Sequence, residues 1–379
     1  MIFILISFFL CCHTSFGQHL SHNRSFPFIH ETFGTESVGT DPDDPAIWIH
    51  PNRSELSLII GTDKTAMIGG LYVFNLNGTI VQHISNIDRP NNVDVEYAFR
   101  INTTHSIDLV VLTERIQKRL RIFSINMPTR QLYEIPVSNP HVFTDSSDEQ
   151  AAPMGIGLYK RSNDGKIYAI VSRKSGPSRG YLGQYELVWS GQSIDLKFIR
   201  YFGDFQGLEI ESVVVDDQLG FVYYSDEGYG IRKYNVDPST NHIEQVGFIN
   251  VTNLWQGDSE GLAVYKTSNT DGYLIITDQL ANGSIFHFYE RQGKNTYVMS
   301  IRTRADKTDG IEATSSYLNE NFPQGVLVVM NEIDGNFLLY DWRHIDKEFD
   351  FIKNNFCYNQ LNLLYLLLES CIIIFIFHT

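Results

Sequence analysis

The segment DPDDPAIWIHP, residues 41–51, places three carboxylates within four positions at the start of an apolar run. Carboxylates this close raise one another's pKa, and burying them is costly unless a cation neutralises them. Asp41, Asp43 and Asp44 are therefore candidates for holding a cation. An Asp-Pro turn before a strand is often only a turn, so the choice depends on whether the pattern recurs.

Acidic residues also begin other strand-like segments. The segments read DPAIW, DVEYA, MGIGL, ESVVV, EGLAV and DGIEA, and all but MGIGL start with a carboxylate. Their leading residues are Asp44, Asp94, Met154, Glu211, Glu260 and Asp309, with Asp43, Asn92, Asp258 and Glu312 close by. So many hard oxygen ligands suit Ca²⁺, which takes roughly six to eight oxygens. Zn²⁺ fits less well, because the sequence has no cluster of Cys and His at ligand spacing.

A second series of apolar segments ends in polar residues. They read IIGTDK, VVLTER, AIVSRK, VYYSDE, IITDQ and VVMNE. The final residues are Lys64, Arg115, Lys174, Glu227, Gln279 and Glu332. A lysine at a strand end is usually a solvated edge residue. Recurrence in phase with the first series favours a shared ring, of which one half is basic and the other acidic or neutral.

The elements that must position these residues follow from a third repeat. An apolar residue, two further residues and then Phe or Tyr recur at intervals of roughly 50–60 residues. The aromatic residues are Phe74, Phe123, Tyr185, Tyr234, Phe288 and Tyr340. Six such copies, each composed of short strands and turns, predict an all-β fold: a six-bladed β-propeller of four-stranded antiparallel blades. We expect the aromatic residues to pack between blades and both polar series to surround the central channel.

The composition limits the partners and the compartment. The formal net charge of -15 excludes nucleic-acid binding by the chain as a whole, and an anionic substrate would need local cations. Two of the four cysteines, Cys11 and Cys12, lie near the N-terminus, and Cys357 and Cys371 lie near the C-terminus. The body of the chain therefore has no disulfide framework.

The two ends differ from the body. Residues 1–17 have the apolar core and small residues of a secretory signal peptide, although no Lys or Arg precedes the core. Six N-x-S/T sequons, typical of a secreted glycoprotein, occur at Asn23, Asn52, Asn77, Asn102, Asn250 and Asn282. We expect the propeller over 18–346. For the hydrophobic tail, 347–379, a membrane anchor, a removable lipid-anchor signal and a read-through artefact all remain open.

Longer motifs link these series along the chain. They are DDPAIWIHP, GTDK, GGLYVFNLNG, NNVDVEY, SDEG, DSEGLAVY, YERQGKNTYV and TDGIE, in this order from about Glu31 to Ile345. Together they resemble the β-propeller phytases. The resemblance implies a six-bladed, calcium-dependent phosphatase of the 3-phytase type, which removes phosphate from phytate (myo-inositol hexakisphosphate).

The resemblance also implies roles for individual residues. The implied catalytic residues are Lys64, Arg115, Lys174, Glu211 and Glu227, and the substrate-binding residues are Lys64, Arg115, Lys174 and Gln279. The expected calcium ligands are Glu31, Asp43, Asp44, Asn92, Asp94, Glu211, Glu227, Asp258, Glu260 and Asp309, with Asn92 included for its closeness in sequence. The chain departs from the family at Met154, where a tyrosine is common, at Ser212, where a glycine is common, and at Asn331 and Glu332.

The expected chemistry follows from the two halves of the ring. The basic residues would bind phosphate, and calcium ions would activate a water molecule for direct in-line attack. Two alternatives remain open: a weak or inactive calcium- or phosphate-binding propeller, and another calcium propeller hydrolase such as a lactonase, which would need no basic arc. No protein partner is implied, and we expect a secreted monomer, with C-terminal membrane anchoring left open.

Overall fold

The computed structural model describes residues 26–240, 242–251 and 254–351. In these residues, 24 strands form six four-stranded antiparallel sheets in the order of a closed propeller. The predicted fold class is confirmed. The predicted signal peptide, the sequon at Asn23 and the tail beyond residue 351 lie outside the described residues.

Each blade is a sheet whose strands follow one another along the chain, except for the first strand, β1 (Phe33–Gly34), which belongs to the last blade. Blade 1 comprises β2 (Pro42–Trp48), β3 (Leu58–Asp63), β4 (Gly69–Asn75) and β5 (Ile80–Ile87). Blade 2 comprises β6 (Pro90–Arg100), β7 (Ser106–Glu114), β8 (Arg119–Asn126) and β9 (Gln131–Ile135). Blade 3 comprises β10 (Pro153–Lys160), β11 (Ile167–Arg173), β12 (Arg179–Trp189) and β13 (Ile194–Asp204).

The second half of the ring repeats this order. Blade 4 comprises β14 (Val213–Asp216), β15 (Phe221–Asp226), β16 (Gly230–Asn235) and β17 (Gln245–Asn250). Blade 5 comprises β18 (Asp258–Lys266), β19 (Gly272–Gln279), β20 (Ile285–Glu290) and β21 (Tyr297–Arg302). Blade 6 comprises β22 (Ile311–Thr314), β23 (Val326–Asn331) and β24 (Asn336–Asp341), with β1 at its outer edge.

The two ends of the described chain close the ring within blade 6. Strand β1 pairs antiparallel with β24, so that Phe33 lies opposite Leu339 and Gly34 opposite Leu338. The backbone N–H of Thr35 extends this pairing by donating to the carbonyl oxygen of Phe337 at 2.8 Å. Backbone hydrogen bonds thus close the propeller, and the described residues include no cysteine that could form a disulfide.

Apolar side chains fill the space between neighbouring blades. Leu71 of blade 1 and Val110 of blade 2, for example, belong to one cluster of fully buried residues. The six aromatic residues of the repeat all lie in third strands and are at most 4% exposed. Their predicted role in core packing is confirmed.

A helix over residues 342–351 follows the last strand and packs against blade 5. Its Phe349 stacks on Tyr273 with ring centroids 4.3 Å apart. Phe349 is 1% exposed, so the packed body continues past residue 346, the expected end of the propeller. Short 3₁₀ helices lie at Ser54–Leu56, Asp148–Ala151 and Pro238–Thr240. Among the described residues, no helix has the length and hydrophobicity needed to cross a membrane.

Candidate active site

One end of the central channel is lined by acidic side chains and small residues from several blades. We call this end the channel mouth, and its lining comprises Asp43, Asn92, Glu211, Ser212, Glu260, Gly261, Asp309 and Gly310. The channel itself is a cavity of about 440 Å³. Five of the ten calcium ligands expected from the sequence therefore meet at the mouth.

The polar residues that end the second strands occupy equivalent positions around this mouth. In five blades the backbone N–H of that residue donates to a carbonyl oxygen of the loop before the first strand. The donors are Lys64, Arg115, Lys174, Glu227 and Glu332, at 2.8–3.1 Å from their acceptors. In blade 5, Gln279 instead pairs directly with Asp258. The basic residues Lys64, Arg115 and Lys174 thus stand on three consecutive blades, as the spacing predicted.

A β-bulge at the start of the first strand sets the register of the residues around the mouth. In blade 1, Asp43 and Asp44 together oppose the single residue Thr62. The same shift occurs in blades 2, 3 and 5. Aligning all six blades by this register gives the ring Asp43, Asn91, Met154, Glu211, Glu260 and Asp309.

The expected ring was wrong in two of its six members. Asp44 lies one residue past the ring position, and Asp94 lies three residues past it, because the bulge interrupts the alternation from which strand positions are counted. Asp44 is buried and accepts a hydrogen bond from Val93 N at 3.0 Å. Gly310 allows this packing, since a Cβ there would lie 2.1 Å from Asp44 Oδ1.

Asp94 lies deeper in the channel than the mouth residues. It shares that level with Glu312, and both side chains line the large cavity. Asp94 Oδ2 accepts a hydrogen bond from Leu158 N at 2.7 Å. Burial raises the pKa of Asp94 to about 7 and that of Glu312 to about 8. Asp94 is therefore separated from Glu211 and Glu260, with which the sequence had grouped it.

Hydroxyl groups hold the bulges of blades 1, 2 and 3 in place, a feature that the sequence analysis missed. Thr62 Oγ1 accepts from Asp44 N at 3.0 Å and donates to Asn91 O of the next blade at 2.7 Å. Thr113 repeats this, donating to Met154 O at 2.6 Å. The signal was present in the sequence, because Thr or Ser precedes the ring-end residue by two positions in five of the six copies.

Lys64 lies between two carboxylates of the mouth. Its Nζ donates to Asp43 Oδ1 at 2.8 Å and to Asp309 Oδ2 at 2.5 Å. Burial opposes the charge of Lys64, but these carboxylates raise its pKa above the usual range. Gln279 Nε2 donates to the other oxygen of Asp309 at 2.5 Å. Lys64 thus bridges blades 1 and 6 as an internal counter-ion.

The remaining carboxylates of the mouth are less well neutralised. Burial and then the charge of Asp43 raise the pKa of Glu211 to about 7. Glu227 follows the second strand of blade 4 and borders this lining, and burial and then Glu211 raise its pKa to about 8 and that of Glu260 well above its ordinary value. Burial likewise raises the pKa of Asp309 to about 8, in spite of Lys64. The mouth would hold protons at neutral pH unless another cation entered it.

Unpaired oxygen atoms test whether the mouth fits such a cation. Asp43 Oδ2, Glu227 Oε1, Glu260 Oε2 and Asn92 Oδ1 are buried and have no hydrogen-bond partner. Carboxylate and amide oxygens are the ligands that Ca²⁺ prefers, so the donor set fits this ion. Within the described residues, no three His, Cys, Asp or Glu side chains are already gathered around one point, and Lys64 fills the space between Asp43 and Asp309.

Other predicted residues lie away from the mouth lining. Glu31 is in an ion pair with Arg304 Nε at 2.5 Å, and Arg304 also contacts Asp334 at 2.6 Å. A guanidinium therefore neutralises Glu31 in this structure. Asp258 is exposed, and its negative charge contributes to the raised pKa of Glu227. Lys174 is in an ion pair with Glu209, an acidic residue that the sequence analysis did not select.

The family departures have structural explanations. Met154 occupies the ring position of blade 3 but is fully buried, so its side chain does not reach solvent. Asn331 is also fully buried, and its Nδ2 donates to Asp334 and Asn336. Glu332 is in a half-exposed ion pair with Lys307 at 3.2 Å. Asn331 therefore organises a loop of blade 6.

Comparison with known proteins decides the family. The sequence matches the family described as Phytase over residues 7–361. It is 30% identical to a 3-phytase of Bacillus subtilis (strain 168) over 337 residues, which is 82% of this chain and 84% of that protein. The chain belongs to the phytase family. The resemblance drawn from the motifs is confirmed, and the protein is a phytase rather than a lactonase.

Solved structures give more distant likenesses to this phytase. A hydrazine synthase of Kuenenia stuttgartiensis matches with a TM-score of 0.47 and 9% identity, over 86% of this chain and 98% of that one. A luciferin-regenerating enzyme matches with a TM-score of 0.43 and 12% identity, over 81% of this chain and 91% of that one. Neither likeness bears on the activity.

Proposed function

We propose that this phytase releases phosphate from phytate in a calcium-dependent reaction with water. One observation carries the proposal. Three basic residues on consecutive blades, Lys64, Arg115 and Lys174, adjoin a mouth whose buried oxygens lack partners. A substrate with many negative charges needs such local cations in a chain of net charge -15. A carboxylate cage alone would not attract it.

The basic residues would orient the phosphate that is cleaved. Arg115 can grip a phosphate through two parallel hydrogen bonds, whereas a lysine acts as a point charge. Lys64 and Lys174 now hold Asp43 and Glu209. On substrate binding, each ammonium would keep its carboxylate and donate a remaining proton to a phosphate oxygen, since an ammonium has three donors.

Calcium would be held by the acidic side of the mouth. The residues that support this are Asp43, Glu211, Glu227, Glu260 and Asp309, of which three have an unpaired buried oxygen. When bound there, Ca²⁺ would neutralise phosphate charge and lower the pKa of a coordinated water. Glu227 and Glu211, whose pKa values of about 8 and about 7 apply to the mouth without a cation, would lose their protons when the ion binds, and their carboxylates would hold the ion and orient the reacting water.

We also propose that the protein is secreted and glycosylated. The sequons at Asn52, Asn77, Asn102 and Asn282 all lie at exposed positions of surface loops, where a glycan can be accommodated. Mass spectrometry of the protein from a eukaryotic host, before and after deglycosylation, tests this proposal.

The activity is tested by phosphate release from phytate by the purified chain, first with calcium and then with excess chelator. We expect release with calcium and nearly none with chelator. Glu227→Gln should cut release about tenfold or more, because it removes a charge beside the cation, whereas Glu320→Gln, at an exposed position, should not. No release under either condition would overturn the proposed function, and release unaffected by the chelator would overturn the calcium requirement.

A further inference from the structure

Two arginines lie side by side at the rim of the mouth, between blades 1 and 2. Arg89 precedes β6, and its carbonyl oxygen accepts the backbone hydrogen bond of Arg115 at 3.1 Å. The loop that contains Arg89 is held at Asp88, whose N–H donates to Glu114 Oε1 at 2.9 Å. Arg89 has a φ of 58°, a left-handed conformation that is uncommon for arginine. The backbone is thus fixed in an unfavourable conformation that keeps Arg89 beside Arg115.

Neither guanidinium has a partner among the described residues. Lys64 and Lys174 are each held by a carboxylate, but no hydrogen bond or ion pair within the described ranges involves the side chain of Arg89 or Arg115. Arg89 Nε is also buried without an acceptor. A buried donor left unsatisfied is costly, and charged donors cost the most.

The charges around this pair do not satisfy it. Burial and then the positive charge of Arg89 lower the pKa of Arg115. The charges of Glu211 and Glu209 interact with Arg115, and the charge of Arg89 interacts with Asp41. None of these carboxylates is within ion-pair distance of either guanidinium. Two neighbouring cations with free donors would be stabilised by an anion from solution.

We propose that Arg89 and Arg115 together form a subsite for one phosphate dianion of the substrate. Two guanidinium groups present planar donor pairs that match phosphate oxygens bidentately. The assignment of the anion as a phosphate ester rests on the proposed function. Arg89 was not among the residues expected from the sequence, because it lies in a loop outside all three repeated series.

The subsite is tested with Arg89→Gln, Arg89→Lys and a matched control, Arg179→Gln. Arg179 begins β12, and its side chain is 90% exposed, so its variant removes the same charge without touching the pair. Calorimetric titration with inorganic phosphate and with phytate gives binding, and steady-state kinetics gives KM and kcat. We expect Arg89→Gln to weaken binding of both ligands about tenfold or more, with a matching rise in KM and little change in kcat. Arg89→Lys should be intermediate and Arg179→Gln unchanged.

The outcomes separate this subsite from the overall activity. Wild-type protein that releases no phosphate, while Arg89→Gln still weakens phosphate binding, would overturn the proposed function and support the subsite. Active wild-type protein with unchanged phosphate binding in Arg89→Gln would overturn the subsite alone. If Arg89→Gln has a clearly lower Tm than the wild-type protein, Arg89→Lys is used in its place. Unchanged phosphate binding and KM in Arg89→Lys would then overturn the proposed subsite.

Discussion

Lys64 has two roles that compete for one ammonium group. It neutralises Asp43 and Asp309 in this structure, yet it belongs to the basic arc that a phosphate needs. Its side chain is only 16% exposed, so these are partly buried ion pairs. Removing one partner of a buried pair leaves an uncompensated charge, which costs more than the pair itself contributes. The lysine is therefore structural when no other cation is bound.

Lys64→Ala should destabilise the chelated protein by about 3–5 kcal/mol, because Asp43 and Asp309 lose their counter-ion. Added calcium should recover most of this loss, since the freed carboxylates can bind the ion, while phosphate release stays low. Denaturant unfolding with and without calcium measures both effects. The control is Lys307→Ala, whose half-exposed pair with Glu332 should contribute at most about 1 kcal/mol. If calcium does not restore the unfolding free energy that Lys64→Ala loses, there is no cation site at Asp43 and Asp309.

Among the structural elements, the β-bulge decides the geometry of the mouth. Each bulge shifts the register of the first strand, and in blades 1, 2 and 3 a hydroxyl from the second strand holds it. Thr113 Oγ1 ties blade 2 to blade 3 through Met154 O. Thr277, at the same position in blade 5, is equally buried, but its Oγ1 has no partner. Blades 2 and 5 thus allow a hydroxyl that is hydrogen-bonded to be compared with one that is not, at equivalent positions.

Thr113→Val should lower the free energy of unfolding by about 1–3 kcal/mol, because it leaves Met154 O and Asn92 N without the hydroxyl that now serves both. Thr277→Val should be neutral or slightly stabilising, since it replaces a buried hydroxyl that makes no hydrogen bond. Both changes keep the shape of the side chain. Equal losses in the two variants, measured by denaturant unfolding, would show that the hydroxyl bond does not hold the bulge.

Periodicity predicted the blades but not the phase of the first strands in blades 1 and 2. The second strands were aligned correctly, because residues such as Lys64 and Arg115 directly follow uninterrupted strands. The first strands begin with a bulge, so the pattern placed Asp94 on the ring where the strand register has Asn91. Ion pairs such as Lys64–Asp309 and Arg304–Glu31 join residues more than 200 positions apart. Only the closed ring brings such residues together, so no local sequence pattern predicts these ion pairs.

For the whole molecule, charge is the main constraint on the channel mouth. The chain carries a net charge of -15, and burial raises the pKa of every mouth carboxylate for which a shift is resolved. Deeper in the channel, Glu96 has its pKa raised to about 8, and Asp94 and Glu312 are raised as well. The ring thus concentrates buried acids along one axis. Its closure by β1 must resist their mutual repulsion without a disulfide in the described chain.

Stability of the chelated protein should therefore fall as the pH rises from about 5 to about 8. A carboxyl group whose pKa is higher in the folded state binds protons more tightly there, so folding is favoured at low pH and weakened as the group ionises. The window lies between the ordinary values near 4 and the raised values of about 7 to 8 for Glu211, Glu227 and Asp309. Thermal melts in chelator across this range measure the effect.

Calcium should reverse that trend, because it binds the ionised carboxylates and its affinity grows as protons leave. At about 100 times its Kd, a ligand specific for the folded state adds about 2.7 kcal/mol. The difference in Tm between calcium and chelator should thus be small at pH 5 and largest at pH 8. Glu227→Gln should narrow the difference at pH 8 more than at pH 5, since it removes one of the groups that titrate. If the chelated protein instead becomes more stable up to pH 8, basic residues of the protein itself neutralise the buried carboxylates. Calcium would then not be needed to offset their negative charge.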